Sequence, residues 1–321
     1  MPFLGRTTTL TPKGLKKNIF SKGFLSSALF VLVISTGAAI AFAEAQDPGD
    51  RELSLSTRQT PEYDPIGIRL GDFTLSPSIS TGVNYSDNIY ATDLNRVHDF
   101  VFTTTPAVRL QSDFVRHSLN AGLFLDRGLY QDVSGEDYTD YGANIGGRLD
   151  ISGQTTLPFG LSYTYDHIRR GSPDDTNTTK PTFYQLWDAT TGLYHEGQQV
   201  AARITGRLQR YIYDSIDGPF GTIDNSDRDR NEYTLYSSVG MNSDAMIAPF
   251  VYGSVLKIDY DRERDDNNQK RNAMQYEAGI GTIVNLSDIT SASFTLGRLH
   301  RTSEDPTLSG INDFSYGVNL R

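Results

Sequence analysis

The sequence predicts an all-β protein, and more specifically a transmembrane, antiparallel up-and-down β-barrel of about twelve strands. Three observations lead to this fold class: long segments in which apolar and polar residues alternate, tight turns that alternate with long polar loops, and an export signal at the N-terminus. The composition agrees, because 18 Tyr, 16 Phe and 29 Gly beside a hydrophobic content of only 37% are typical of β-proteins. The chain has no cysteine, so disulfides and thiolate metal sites are excluded.

Residues 1–43 are predicted to form a signal peptide that is cleaved during export. They begin with five basic and no acidic residues, continue with a nearly uniform apolar run, and end in Ala41-Phe42-Ala43, a small-x-small cleavage site. An uncleaved membrane anchor is the alternative, since an apolar run of this length could span a bilayer. Cleavage removes five of 29 basic residues and none of the 39 acidic ones, so the mature chain is acidic, which argues against nucleic-acid binding.

A linker and a strand-rich domain follow the signal peptide. Residues 44–72 lack an apolar period and are predicted to be a short periplasmic linker. Over residues 73–321 a period of two dominates, which is typical of strands with one apolar and one polar face. The predicted strands span residues 73–85, 99–111, 117–130, 138–151, 155–167, 182–194, 199–213, 231–242, 246–260, 273–286, 289–300 and 312–321. Most are about twice as long as strands in soluble sheets, which is enough to cross a membrane when tilted.

The connections between the predicted strands are tight at one end and long at the other. After every second strand the joint is tight, as at residues 152–154 and 196–198, whereas joints such as 168–181 and 214–230 are long and polar. Short periplasmic turns and long external loops are typical of outer-membrane barrels. A soluble β-sandwich or solenoid is the alternative, but its strands would normally be about half as long.

In a barrel that is embedded in lipid, the apolar face meets hydrocarbon and the polar face meets a wet lumen. The stretch "TDYGANIGGRLDI", residues 139–151, shows both faces in one strand. The predicted lumen-lining residues carry both signs of charge and are Arg109, Asp126, Asp140, Asn144, Arg148, Asp150, Asp188, Arg203, Arg207, Lys257 and Glu277. Such a set suits either a polar channel or a narrow barrel filled by ion pairs, because eight strands leave a filled core and sixteen leave an open channel.

Four polar residues interrupt the predicted apolar face near the loop ends of their strands, namely Arg127, Gln185, Arg210 and Arg298. The three arginines are candidates to contact lipopolysaccharide, because the guanidinium fork matches phosphate oxygens. The alternative is that these strand ends extend beyond the lipid and are solvated. The acidic loops at 224–230 and 259–268 lack the fixed Gly and terminal Glu of a calcium loop, so they are predicted to be solvated and to bind no metal.

The stretch "PEYDPIGIRLGDFTLSPSISTGVNYSDNIYATD", with "SDFVRHSLN", "RGSPDD" and "DRDRNEY" at later joints, resembles the putative beta-barrel porin 2 family, which is linked to capsule and exopolysaccharide gene clusters. The resemblance covers roughly Pro61 to the end and implies an outer-membrane barrel without a catalytic signature. Barrels of this family usually have more than twelve strands and end on a membrane strand. Leu320-Arg321 supplies no terminal aromatic, so we expect a barrel truncated from a larger one or a shortened member.

The predicted function is passive passage of solutes, or support of exopolysaccharide export, across the outer membrane of a Gram-negative bacterium. The alternative is a non-conducting structural barrel or an adhesin. An outer-membrane hydrolase is less favoured, because there is no G-x-S-x-G motif and the adjacent Asp166 and His167 are expected to point to opposite faces of a regular strand. No enzyme activity, cofactor or metal is expected. The expected partners are the lipid bilayer, lipopolysaccharide, the barrel-assembly machinery and, from the resemblance, polysaccharide export components.

Overall fold

A computed structural model describes residues 67–172, 174–175, 180–218, 221–242, 244–287 and 289–320. The predicted signal peptide and most of the predicted linker lie outside these residues. The described elements are fifteen β-strands and two single 3-10 turns, at Ser134–Glu136 and Ser226–Arg228. The strands are β1 (Ile68–Leu70), β2 (Phe73–Ser86), β3 (Asp99–Ser112), β4 (Ser118–Tyr130), β5 (Tyr138–Ser152), β6 (Thr155–His167), β7 (Phe183–Glu196), β8 (Val200–Tyr213), β9 (Ile216–Gly218), β10 (Gly221–Ile223), β11 (Arg230–Met241), β12 (Ile247–Tyr260), β13 (Ala273–Ser287), β14 (Thr290–Ser303) and β15 (Ile311–Leu320).

Thirteen of these strands form one antiparallel sheet, in which neighbours in sequence are neighbours in space. β9 and β10 form a separate two-stranded hairpin within the connection from β8 to β11, which pair directly with each other. The all-β, up-and-down fold class is therefore confirmed, and each of the twelve predicted strands is present to within a few residues of its predicted bounds. The three-residue strands β1, β9 and β10 were not predicted, because three residues are too few to show a period.

The two ends of the sheet differ as the sequence predicts. Tight turns join β5 to β6 at residues 153–154 and β7 to β8 at residues 197–199, whereas longer connections such as 87–98 and 261–272 lie at the other end, here called the loop end. Among the described residues, no pairing joins β15 to β1 or β2, so the sheet is not closed. Within the same residues no helix is long and apolar enough to span a membrane.

Every second side chain shares one face across the whole sheet, because each strand pairs with the next in an antiparallel register. The apolar face carries large hydrophobic side chains that remain between 44% and 72% exposed, including Ile79, Leu123, Ile145, Leu161, Ile204, Leu235, Val251, Ile280, Leu296 and Val318. The buried apolar residues of the described part are few, and four of the seven are Ile or Val. A soluble protein would cover such a face, so its exposure along twelve long strands fits contact with lipid.

Candidate functional site

The polar face of the sheet is the first candidate site, and the register decides which predicted residues lie on it. Ser76 on β2 pairs with Arg109, and the same row continues through Gly122, Asn144 and Ser162 to Asp188. The members of the predicted lumen set that share this face are Arg109, Asp126, Asp140, Asn144, Arg148, Asp150, Asp188, Arg203, Arg207 and Glu277. These residues therefore form one continuous polar surface on β3 to β13.

Lys257 is the exception, and its predicted place in the lumen is wrong. It pairs with Tyr233 on the apolar face, where its Nζ lies 5.9 Å from the Tyr233 ring centroid and 3.0 Å from an Asp259 carboxylate oxygen. The error has a physical reason, since β12 carries apolar side chains on both faces and its own alternation does not select one. The pairing of Ser254 with Glu277 settles the orientation of the strand.

Most charged side chains on the polar face form close pairs. The Arg207 Nε donates to Asp188 Oδ2 at 2.8 Å, and the Arg148 Nε lies 2.7 Å from Asp150 Oδ1. The carboxylate of Glu277 accepts hydrogen bonds from the Tyr252 hydroxyl at 2.9 Å and from the Ser315 hydroxyl at 2.6 Å. The face is thus polar, and most of its charged side chains have a partner within hydrogen-bonding distance.

At the loop end of β8, β11 and β12, arginine and tyrosine side chains pack into an Arg–Tyr cluster, formed by Arg230, Tyr211, Tyr213 and Tyr260. The Arg230 guanidinium lies 4.1 Å from the Tyr211 ring centroid, and its Nε donates to the Glu232 carboxylate at 2.7 Å. A guanidinium stacked on rings and bonded to a carboxylate is a fully engaged cation. The side chains of this cluster occupy the polar face at the loop end of β8, β11 and β12.

At the loop end of β3 to β6 the polar face instead encloses a cavity of about 330 Å³, here called the acid cavity. Its wall includes the carboxylates of Asp126, Glu136, Asp140 and Asp166 together with His167. Asp126 and Asp140 are directly opposite each other on β4 and β5. The cavity therefore gathers acidic groups that come from four different segments of the chain.

His167 is the residue whose placement sequence reasoning missed. The expectation that Asp166 and His167 cannot share a compact site is wrong, because the His167 Nδ1 lies 2.8 Å from Asp140 Oδ2 and 3.8 Å from Asp166 Oδ1. His167 is the last residue of β6, where the strict alternation of a strand ends, and its ring stacks on Tyr138 with centroids 4.2 Å apart. The alternation contains no signal for this contact, since Asp140 belongs to the neighbouring strand.

A buried arginine closes the acid cavity on its loop side. The Arg170 guanidinium donates to both oxygens of Glu136, at 2.8 and 2.6 Å, and to Asp175 at 3.2 Å. The side chains of Arg170 and Glu136 are only 8% and 2% exposed, and the guanidinium lies over the ring of Tyr90. The ion pair with Glu136 therefore ties together the loops that follow β4 and β6, and the contact with the Tyr90 ring adds the loop that follows β2.

The candidate lipopolysaccharide contacts lie on the apolar face at the loop end, and the described structure gives each a protein partner. Arg210 bonds Asp261 through both nitrogens at 2.6 and 2.5 Å, and this bond holds the pKa of the Asp261 carboxyl below its usual range. Arg127 lies 3.7 Å from Asp137. Arg298 donates to Asn312 at 2.9 Å. Gln185, which pairs with Ile212, shares the same face. A phosphate at Arg210 would compete with a bidentate carboxylate.

The sequence profile of the family described as putative beta-barrel porin 2 matches residues 60–321, which is most of the chain. The chain therefore belongs to this family, and its fold and exposed apolar face agree with an outer-membrane barrel. No curated protein and no solved structure matches the chain significantly.

Proposed function

We propose that the protein admits polar solutes across the outer membrane along the polar face of its sheet. The observation that carries this proposal is the continuity of that face, which extends over β3 to β13 and is polar while the opposite face is apolar and exposed. Where charges are held in local pairs, as in Arg207 with Asp188, the surface remains wet at little electrostatic cost. Passage needs no catalytic group, so we propose no enzyme activity.

The acid cavity gives the proposed path a preference for cations. Four carboxylates line it beside two arginines, Arg169 and Arg170, and the Arg170 guanidinium is already bonded to Glu136 and Asp175. An excess of one sign of charge in a wall raises the local concentration of the opposite ion. The acid cavity therefore favours cationic or neutral solutes over anionic ones.

An exopolysaccharide is the solute class that the family resemblance suggests, and one feature of the polar face supports it. At the turn end a second cavity, of about 130 Å³, is lined by the rings of Tyr236 and Phe250 and by the Arg203 and Glu196 pair. Ring faces beside a few fixed polar groups are the usual composition of a small-molecule site. A sugar ring, which has apolar faces and a polar rim, matches this composition.

Conductance across a planar bilayer tests the proposal. We expect discrete conductance steps from the refolded chain, with a preference for cations that falls in Asp126→Asn. Asp259→Asn is the matched control, because Asp259 lies on the apolar face with Lys257. A folded chain without conductance would favour the alternative, a structural barrel or adhesin whose ion pairs fill the interior. Unchanged selectivity in Asp126→Asn would refute the role of the acid cavity.

The cellular context forms part of the same proposal. The pattern of residues 1–43 supports a cleaved signal peptide, and the porin family supports a Gram-negative host and insertion by the barrel-assembly machinery. Lipopolysaccharide contact is best supported at Arg298, which is bonded to an amide rather than to a carboxylate. Fractionation of cell envelopes tests the location, and loss of lipopolysaccharide co-purification in Arg298→Gln tests the contact.

A further inference from the structure

Three carboxylates lie in a row on three adjacent strands of the polar face. Asp126 on β4 pairs with Asp140 on β5, and Asp166 follows Thr164 on β6, which shares this face through its pairing with Gly142. Asp140 is buried, with only 7% of its surface exposed. Like charges on neighbouring strands repel, and burial raises the cost, so the row requires compensation by a proton or a cation.

Protein donors compensate only part of this charge. The Thr105 hydroxyl donates to Asp126 at 2.7 Å, and the Tyr184 hydroxyl donates to Asp166 at 3.3 Å. Arg169 also lines the cavity, while the neighbouring Arg170 is committed to Glu136 and Asp175. Neutral hydroxyl donors stabilise a carboxylate but do not cancel its charge.

The imidazole of His167 completes a set of donors with the geometry of a metal site. One ligand atom each from Asp140, Asp166 and His167 lie within 4.8 Å of one another. The His167 Nδ1 is 2.8 Å from Asp140 Oδ2 and 3.8 Å from Asp166 Oδ1. Metal bonds of roughly 2.1 Å, at tetrahedral or octahedral angles, place two donors about 3.0 to 3.4 Å apart. The two His167 separations bracket these values, and the two carboxylates lie within 4.8 Å of each other, so the donors must draw together to bind an ion.

We propose that Asp140, Asp166 and His167 bind a divalent transition-metal ion such as Zn²⁺ in the wall of the acid cavity. An imidazole nitrogen beside two carboxylates suits Zn²⁺, Mn²⁺ or Co²⁺, whereas Ca²⁺ and Mg²⁺ prefer oxygen ligands alone. Three protein ligands leave a coordination position open. Because the donors face the cavity, that position is available to water or to an anionic group of a solute in the cavity.

Cobalt binding to the full chain in detergent tests the site. We expect one equivalent of Co²⁺ to give visible absorption bands of an imidazole and carboxylate site, and one equivalent of Zn²⁺ to displace them. His167→Gln and Asp166→Asn should each weaken binding at least tenfold, because each removes a donor. Asp126→Asn is the matched control, since it removes a charge from the same cavity and leaves all three donors, and it should change affinity by threefold or less.

The outcomes separate coordination from general attraction. Asp166 is partly exposed, so Asp166→Asn should remain folded even if His167→Gln does not, and circular dichroism checks both. Zn²⁺ should raise the unfolding midpoint of the original chain but not of Asp166→Asn. Absence of one-equivalent binding to the original chain would overturn the proposal and assign the charge compensation to protons, His167 and Arg169. Equal loss in Asp126→Asn and Asp166→Asn would also overturn it, because binding would then follow charge alone.

Discussion

The acid cavity and the Arg–Tyr cluster both lie at the loop end of the polar face, but different kinds of partner balance their charged groups. In the cluster the cation lies within the sheet, where Arg230 bonds Glu232 on its own strand and stacks on Tyr211. In the cavity the nearest engaged guanidinium, that of Arg170, belongs to a loop and bonds Glu136 and Asp175. The strand carboxylates of the cavity are left with hydroxyl groups and His167 as close partners.

This difference indicates which part of the polar face can bind a ligand. A cation inside the sheet completes the local charge balance and fills space with its own side chain and with rings. In the acid cavity the engaged cation lies in a loop instead, so space remains between the strands' side chains and the carboxylates line that space. The predictions below alter either arrangement, beginning with the largest expected effect.

Arg170→Ala is expected to destabilise the loop side of the acid cavity by about 3 to 5 kcal/mol, because removing one partner of a buried ion pair leaves the other charge uncompensated. The buried group would be Glu136, which is 2% exposed. Hydrogen exchange of the amides in residues 131–137 measures the change in local opening free energy.

Arg262→Ala is the control for this prediction. Arg262 bonds Asp224 at 2.6 Å, but the two side chains are 43% and 50% exposed, so a loss of only about 0 to 1 kcal/mol is expected. Equal protection factors in Arg170→Ala and the original chain would show that the loops do not depend on the buried pair.

Arg230→Gln is expected to lower the free energy of unfolding by about 2 kcal/mol. The substitution removes a cation stacked on Tyr211 and leaves Glu232 without its ion partner. Urea unfolding in detergent micelles, followed by circular dichroism, measures the effect. Lys257→Gln removes a cation from the exposed apolar face and should change the midpoint by less. If Lys257→Gln lowers the free energy of unfolding as much as Arg230→Gln does, the predicted difference between the two positions is wrong.

The strands were predictable from sequence to a greater extent than the sites. Alternation over 12 to 15 residues defines a strand because a period of two has one structural solution, and the polar face follows from it. β12 shows the limit, since apolar residues on both faces left Lys257 on the wrong one. His167 shows a second limit, because its contact with Asp140 depends on a strand end and on which strands are neighbours. The ion pairs and ring contact of Arg170 link three loops, and loop conformation has no period to detect.

Gly128→Ala is expected to cost about 1 to 2 kcal/mol and to disturb the acid cavity selectively. A Cβ at position 128 would lie 2.1 Å from the ring of Tyr138, so the ring must move away from its stack on His167. Gly206→Ala is the control, because a Cβ there meets no atom within 4 Å. Urea midpoints compare the two variants. If the variants are equally stable, Tyr138 is not a fixed wall of the cavity.

Asp305, in the loop between β14 and β15, is a third kind of carboxylate, held mainly by neutral hydrogen-bond donors with a smaller contribution from the charge of Arg264. The Thr307 hydroxyl donates at 2.6 Å, and the backbone N–H groups of Lys270 and Thr307 add bonds at 3.0 and 2.8 Å. These bonds, led by that of the hydroxyl, lower the pKa of Asp305 to about 2. Because the folded pKa lies below the ordinary value near 4, the stabilisation is complete above about pH 4 and is lost as the pH falls toward 2.

Thr307→Val should therefore raise the pKa of Asp305 toward its ordinary value, as measured by carboxyl NMR of the aspartate-labelled protein. The pKa of Glu263, which is lowered by its bond to Lys270, is the internal control and should not change. A carboxyl of Asp305 that titrates near pH 4 in the original chain would contradict the prediction. Agreement would show that hydroxyl and N–H donors make the main contribution to the lowered pKa of Asp305. In the acid cavity, Thr105 and Tyr184 donate hydroxyl hydrogen bonds to two carboxylates, Asp126 and Asp166, in the same way.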